Sequence, residues 1–298
     1  MTAAGQGVAP ELSARVCLDL GHAYAEHAAK RAGVRLLHIK GLAADRVLPI
    51  DDARVSDVDV LLDPEGLTRF TRVLLEREDC LLVDDASRST EAHAVAVAVL
   101  GLGVTIDVHG HFPGFRASPE DVFAALWSGH GEETFGGWTC KVPGRGATAV
   151  VGLLHAARNL STSRTVVQAR ERWESLTPNE QAEAREFAES LGATVAMESV
   201  LHPERRARGA EEVLWRLRQR GGSPTAYWLA AILAAPGWRG KAILLRRAAL
   251  TQRASNVDTH QVGPEQEVAR TRLQRLLDGV KALPSAAREV LSVWRTGQ

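Results

Sequence analysis

The chain has 298 residues, 45% hydrophobic and 24% charged, with 36 basic and 36 acidic side chains and a formal net charge of zero. That balance belongs to a globular protein able to bury a core without staples, in one large domain or two of common size. Cys17, Cys80 and Cys140 are odd in number, far apart and form no CxxC pair, which excludes a secreted disulfide framework and predicts reduced, packed thiols in a cytoplasmic protein. The opening MTAAGQGVAP has no basic segment followed by an apolar one, and no run approaches the ~20 apolar residues of a membrane span. Neither a signal peptide nor a membrane partner is therefore expected.

In chain order, a loose tail over residues 1–9 precedes a helix over 11–32, with Leu12, Val16, Leu20 and Ala23 at helical spacing and Gly33 as its stop. Residues 34–39 read as a short buried strand, interrupted by Lys40-Gly41 and followed by a short helix over 42–48. Residues 57–62 (DVDVLL) alternate and then turn wholly apolar, which predicts a strand. Pro64 opens a helix to about residue 77, and 80–83 is a short strand. Residues 93–100 and 104–109 read as a hairpin around Gly101-Leu102-Gly103. Ser118 caps a helix to about residue 127, and residues 134–142 read as an edge strand. Pro143-Gly144-Arg145-Gly146 is a linker signal. Beyond it the pattern is helical, broken at Thr177-Pro178-Asn179, Gly221-Gly222-Ser223-Pro224, Pro236-Gly237 and Gly263-Pro264. The predicted organisation is an N-terminal helix (1–33), an α/β domain (34–145) and a helical domain (146–298).

Chemistry concentrates in Arg54-Val-Ser-Asp57-Val-Asp59. Residues two apart on a strand share a face, so Asp57 and Asp59 point together and repel unless a cation or proton lies between them. Hard oxygen ligands at this spacing suit Mg²⁺ or Mn²⁺. Asp107, within the apolar strand Thr105-Ile-Asp-Val-His109, needs a partner if buried, and a shared metal is one. Lys40-Gly41 lets phosphate approach the backbone and adds a point charge; by itself the pair reads more readily as a mere turn, and it is not a P-loop. His109 and His111 share the strand parity of Asp107, and His109 is expected to orient Asp107 or touch phosphate. Glu91 and His93 share a face near the hairpin entry. His155 and Arg158, at helical spacing in LLHAARN, open the helical part and are placed to close over a ligand. The scattered tryptophans read as core or interface fillers.

The order of strand, Lys40-Gly41, helix, Arg54, Ser56-Asp57-x-Asp59 and Asp107-x-His109 resembles the DNA polymerase beta-type nucleotidyltransferase superfamily, and within it a bacterial group with LKG, R, DIDLL and DLH motifs. The likeness covers roughly residues 34–160. It implies an α+β fold, with a polymerase-beta-like domain built on a mixed sheet and an all-helical C-terminal domain. It also implies that Asp57, Asp59 and Asp107 are the metal ligands, with Asp107 the base toward an acceptor hydroxyl. Lys40 and Gly41 would hold the triphosphate, with Arg54 and Ser56 lining the nucleotide site. Leu42 departs from the second Gly or Ser of many members, and the gap from Gly41 to Asp57 is longer than usual.

The expected activity is transfer of a nucleoside monophosphate from an NTP to an acceptor hydroxyl or phosphate, releasing pyrophosphate, with Mg²⁺ or Mn²⁺ as cofactor. The acceptor is a small molecule, a tRNA or a peptide. Acids outnumber bases over residues 42–110 and bases outnumber acids over 201–253, which tilts the reading toward a polyanionic or large acceptor. The alternative, favoured by Leu42, is a non-catalytic nucleotide- or partner-binding protein that retains the fold.

Overall fold

The computed structural model describes residues 12–51, 55–85, 94–235, 237–250 and 272–296. Arg54, Glu91 and His93 lie outside the described residues, as do the breaks at Pro236 and Gly263-Pro264. Helix α1 (Ala14–Ala32) starts on Ser13, whose hydroxyl accepts from the Val16 amide, and ends at Gly33. Strand β1 (Leu36–Ile39), helix α2 (Gly41–Val47) and strand β2 (Val58–Leu62) follow. Helix α3 (Leu67–Leu75) leads to β3 (Cys80–Asp85), β4 (Ala94–Val99) and β5 (Val104–His109).

These strands form one sheet in the order β1-β2-β5-β4-β3. The sheet is mixed: β2 runs parallel to β5, and the other neighbours are antiparallel. Its two faces separate by the strand period of two. Leu36, Val58, Val60, Leu62, Ile106 and Val108 pack toward α1. Leu37, Ile39 and Leu61 face the other way, into a cluster with Phe112, Leu153, Leu154 and Met197. Asp59 shares the parity of Leu61, so it faces the second side.

Two expectations are corrected here. The strand expected from residue 57 begins at Val58, with Asp57 in a bend; β1 ends opposite Asp59, so the chain upstream lacks an antiparallel partner. The single edge strand expected over 134–142 is a hairpin, β6 (His130–Phe135) and β7 (Trp138–Pro143), following helix α4 (Pro119–Ser128). It turns on Gly136-Gly137, at φ 53° and 81°. A two-residue turn with both central residues at positive φ is what a Gly-Gly pair favours, and it divides the expected strand in two. At Gly136 a Cβ would stand 3.0 Å from Ala23 Cβ and 3.2 Å from the Asp19 carbonyl. The hairpin thereby lies close on α1.

The second half is helical: α5 (Arg145–Ala157), α6 (Arg164–Glu174), α7 (Pro178–Ser190), α8 (Thr194–Leu201), α9 (Ala210–Gln219), α10 (Pro224–Ala234), α11 (Gly237–Leu250) and α12 (Arg272–Thr296). Within the described residues, two of the predicted breaks act as helix starts. Thr177 and Glu180 form a capping box at α7, and Ser223-Pro224 opens α10. Where a linker was expected, β7 runs to Pro143 and α5 begins at Arg145. Apolar packing is continuous across this point, because Leu37, Ile39 and Leu61 of the sheet share one cluster with Ala149 to Trp215 of the helices. A smaller cluster of Val213, Leu217, Ala226, Ala230, Ala286 and Val290 joins α9, α10 and α12. The chain is thus of the α+β class expected, a mixed sheet in its first half and helices in its second. Among the described residues no helix is long and apolar enough to cross a membrane.

Candidate functional site

The parallel pairing of β2 with β5 sets Asp59 directly beside Asp107. Neighbouring strands lie ~4.8 Å apart, so two acids in register on one face are forced together. Ligand atoms of Asp59, Asp107 and His109 all lie within 4.8 Å of one another. Asp57 is not part of that group; it sits one residue before the strand, with Ser56 Oγ donating to its Oδ1 at 3.2 Å.

Asp59 is buried at 4% exposure. His109 Nε2 donates to its Oδ1 at 2.9 Å, and the Lys40 ammonium pairs with the same oxygen. Burial alone would raise the Asp59 pKa, but the Lys40 charge and the His109 bond outweigh it and hold the carboxyl below the usual carboxylate range. Burial and the Lys40 charge push His109 down to about 4, against the pull of Asp59. His109 is therefore a neutral Nε2–H imidazole near pH 7. Its bond goes to Asp59 on the neighbouring strand. Burial and the charge of Asp59 raise Asp57, with Lys40 and Ser56 opposing.

Lys40 reaches this position on a backbone at φ 53°, ψ −167°. It is the only non-glycine at positive φ among the described residues. That region is nearly exclusive to glycine and costs about 1–3 kcal/mol. Such strain persists only where the surroundings impose it. Gly41 follows at φ 44°, where a Cβ would meet Val55 Cγ1 at 3.1 Å. Leu42 is 1% exposed and packs into the α1 side of the core.

Helix α5 closes the far side. His155 is lowered well below its ordinary value, first by burial and then by the Lys40 charge, with Asp59, Arg158 and His109 also acting on it. His111 is lowered by burial and by Arg158. Nδ1 of His111 and Nδ1 of His155 are buried with no hydrogen-bond partner among the described residues. Phe112 packs on His109 with ring centroids 5.9 Å apart and lies under the Lys40 ammonium at 5.8 Å. Asp57, Asp59, Lys40, His109, His155 and Arg158 thus act on one another electrostatically, with Asp107 beside Asp59 and His111 under the influence of Arg158. Hard carboxylate oxygens fit a divalent cation, and the raised Asp57 is an acid whose ionisation a cation would favour.

Sequence parity was enough to align Asp107 with His109. It was silent on the Lys40–Asp59 pair, because that contact depends on how β1 ends opposite Asp59. No protein-family model and no curated protein matches the chain. Among solved structures it is similar to the antibiotic-resistance factor ANT(2'')-Ia, at 12% identity and a TM-score of 0.42, over 60% of this chain and 94% of that one. It is also similar to an antigenic nucleotidyltransferase-like protein from Paracoccidioides brasiliensis, at 13% identity and a TM-score of 0.39, over 64% and 99% of the two chains. Both likenesses are distant.

Proposed function

We propose that the chain is a nucleotidyltransferase that moves a nucleoside monophosphate from an NTP to an acceptor hydroxyl or phosphate. The observation that carries this reading is the in-register pair Asp59 and Asp107, whose ligand atoms gather with His109 within 4.8 Å. Asp57, Asp59 and Asp107 would hold Mg²⁺ or Mn²⁺, which when bound neutralises charge on the phosphate oxygens. The acceptor oxygen bonds to the α-phosphorus, the bond to the β-phosphate bridging oxygen breaks, and pyrophosphate leaves. Asp107 takes the proton of an acceptor hydroxyl. Lys40 turns from Asp59 toward the triphosphate, while Gly41 lets phosphate approach the backbone. Ser56 lines the nucleotide, His109 orients Asp59, and His155 of α5 with Arg158 at its end faces the phosphates. The helical half selects the acceptor, a small molecule, a tRNA or a peptide.

Incubating the protein with labelled NTPs, Mg²⁺ and fractionated cell extract tests this. Label should enter one acceptor pool, and Asp59→Asn or Asp107→Asn should reduce it by about 10²-fold or more, as for loss of a group acting at the reacting atoms. Full labelling by either variant would sink the reading. A second reading, a non-catalytic nucleotide- or partner-binding protein, draws support from the Lys40–Asp59 ion pair, which gives that acid a countercharge without a metal. It predicts that no label is transferred; a nucleotide-binding form would show an NTP-dependent rise in thermal midpoint by mass action, and a partner-binding form would show none.

A further inference from the structure

On the opposite face of the sheet, α1, β1 and β7 bring together Glu26, His38 and Cys140. We propose that these three side chains bind Zn²⁺, separately from the acids of the candidate active site. Their ligand atoms all lie within 4.8 Å of one another, although the residues are far apart in sequence and stand on three different elements. Carboxylate oxygen, imidazole nitrogen and thiolate sulfur are the donors zinc takes, with a fourth position left to water. Glutamate and thiolate together carry two negative charges, which cancel those of the cation and make the filled site neutral in a buried setting.

The spacing also favours a shared cation. His38 Nε2 lies 3.4 Å from Glu26 Oε2. That is long for a hydrogen bond to a carboxylate, ~2.7–3.2 Å. Two ligands each ~2.0–2.1 Å from zinc at a tetrahedral angle lie about 3.3 Å apart. The outer imidazole is positioned as well. His22 Nδ1 contacts His38 Nδ1 at 2.8 Å, and the His22 ring stacks on Phe135 with centroids 4.5 Å apart. If His38 donates through Nδ1 to His22, its Nε2 offers a lone pair toward Glu26 and Cys140. A second hydrogen-bonded group that fixes the tautomer is what ligating histidines ordinarily have. His22, His38 and Cys140 are each completely buried, and the Glu26 side chain, 12% exposed, is where the group meets solvent. Binding converts the Cys140 thiol to a thiolate and releases its proton to water. A bound ion would pin the β6–β7 hairpin to α1 and β1.

The test is titration of metal-free protein with Co²⁺. A thiolate-to-cobalt charge-transfer band should appear at one equivalent and vanish when Zn²⁺ is added. The band should persist in Asp59→Asn, since the acids offer no sulfur, and disappear in Cys140→Ser. Glu26→Gln, which keeps the side-chain volume, should weaken Co²⁺ binding tenfold or more. Absence of the band in the wild-type protein overturns the proposal, as does a band that survives in Cys140→Ser or an unchanged affinity in Glu26→Gln.

Discussion

Lys40 carries two opposing energies. Its ammonium is paired with a buried carboxylate, and its backbone occupies a region suited to glycine. Removing one partner of a buried pair costs ~3–5 kcal/mol, more than the strain of about 1–3 kcal/mol. Lys40→Ala is therefore expected to lower stability by roughly 3 kcal/mol, because it loses the pair and keeps the strain. Lys40→Gly loses the same pair but relieves the strain, against a smaller entropic penalty of about 0.5–1 kcal/mol. It should be the more stable variant by about 1 kcal/mol. Denaturant midpoints at equal slope check this; equal midpoints would mean the backbone is unstrained. Asp57 is the companion case. Its raised pKa reflects burial and the charge of Asp59, so Asp57→Asn should leave stability without metal nearly unchanged while weakening Mg²⁺-dependent NTP binding, read by thermal shift.

At the level of elements, α2 is short and ends against the helical half. Arg172 of α6 donates through Nε to the Leu48 carbonyl at 3.0 Å, and Arg145 of α5 donates to the Val47 carbonyl at 3.2 Å. These guanidinium groups satisfy carbonyls left open where α2 stops. They also tie the position of Lys40-Gly41 to helices more than a hundred residues away in sequence. Arg172→Ala should destabilise by about 2 kcal/mol, the range for a hydrogen bond to a charged group. If α2 positions the triphosphate, the same variant raises KM for NTP more than it lowers kcat. Arg172→Lys should recover only part, since lysine cannot reproduce the guanidinium geometry. Nothing in the local sequence of either segment announced this tie. The hairpin of β4 and β5, by contrast, was legible from its glycines and alternation, and Asp107 could be placed on β5 beforehand. The β6–β7 hairpin was read as a single strand over 134–142, although Gly136-Gly137 supplies its turn.

For the molecule as a whole, His22, His38, His109, His111 and His155 are all lowered from their ordinary value, mainly by burial. A histidine whose folded pKa lies below the unfolded value near 6.5 binds its proton more readily when unfolded. Stability is thus fully present above about pH 6.5 and is lost as pH falls toward the folded values. Each fully effective group contributes a slope of ~1.4 kcal/mol per pH unit. The unfolding free energy of metal-free protein should therefore fall between pH 6.5 and 5 more steeply than one histidine allows; a flat profile there would contradict this burial. The basic stretch over 201–253 also looks different in three dimensions. Arg216 is buried and donates to the Pro203 carbonyl, while Arg218 lies over the Tyr227 ring at 4.3 Å. Part of that charge serves the packing of α9, so less of it is left to face a large acceptor.

Local pattern was sufficient for the strands of the first half, for the helical second half and for placing Asp107 and His109 on one strand, because strand parity and turn chemistry act over a few residues. Tertiary structure alone decided that β2 lies parallel to β5 with Asp59 beside Asp107, that Lys40 supplies the countercharge and that His155 arrives from α5. It also alone gathered Glu26, His38 and Cys140. Those contacts join segments tens to a hundred residues apart, and their geometry is set by strand register and core packing, which no short stretch of sequence specifies.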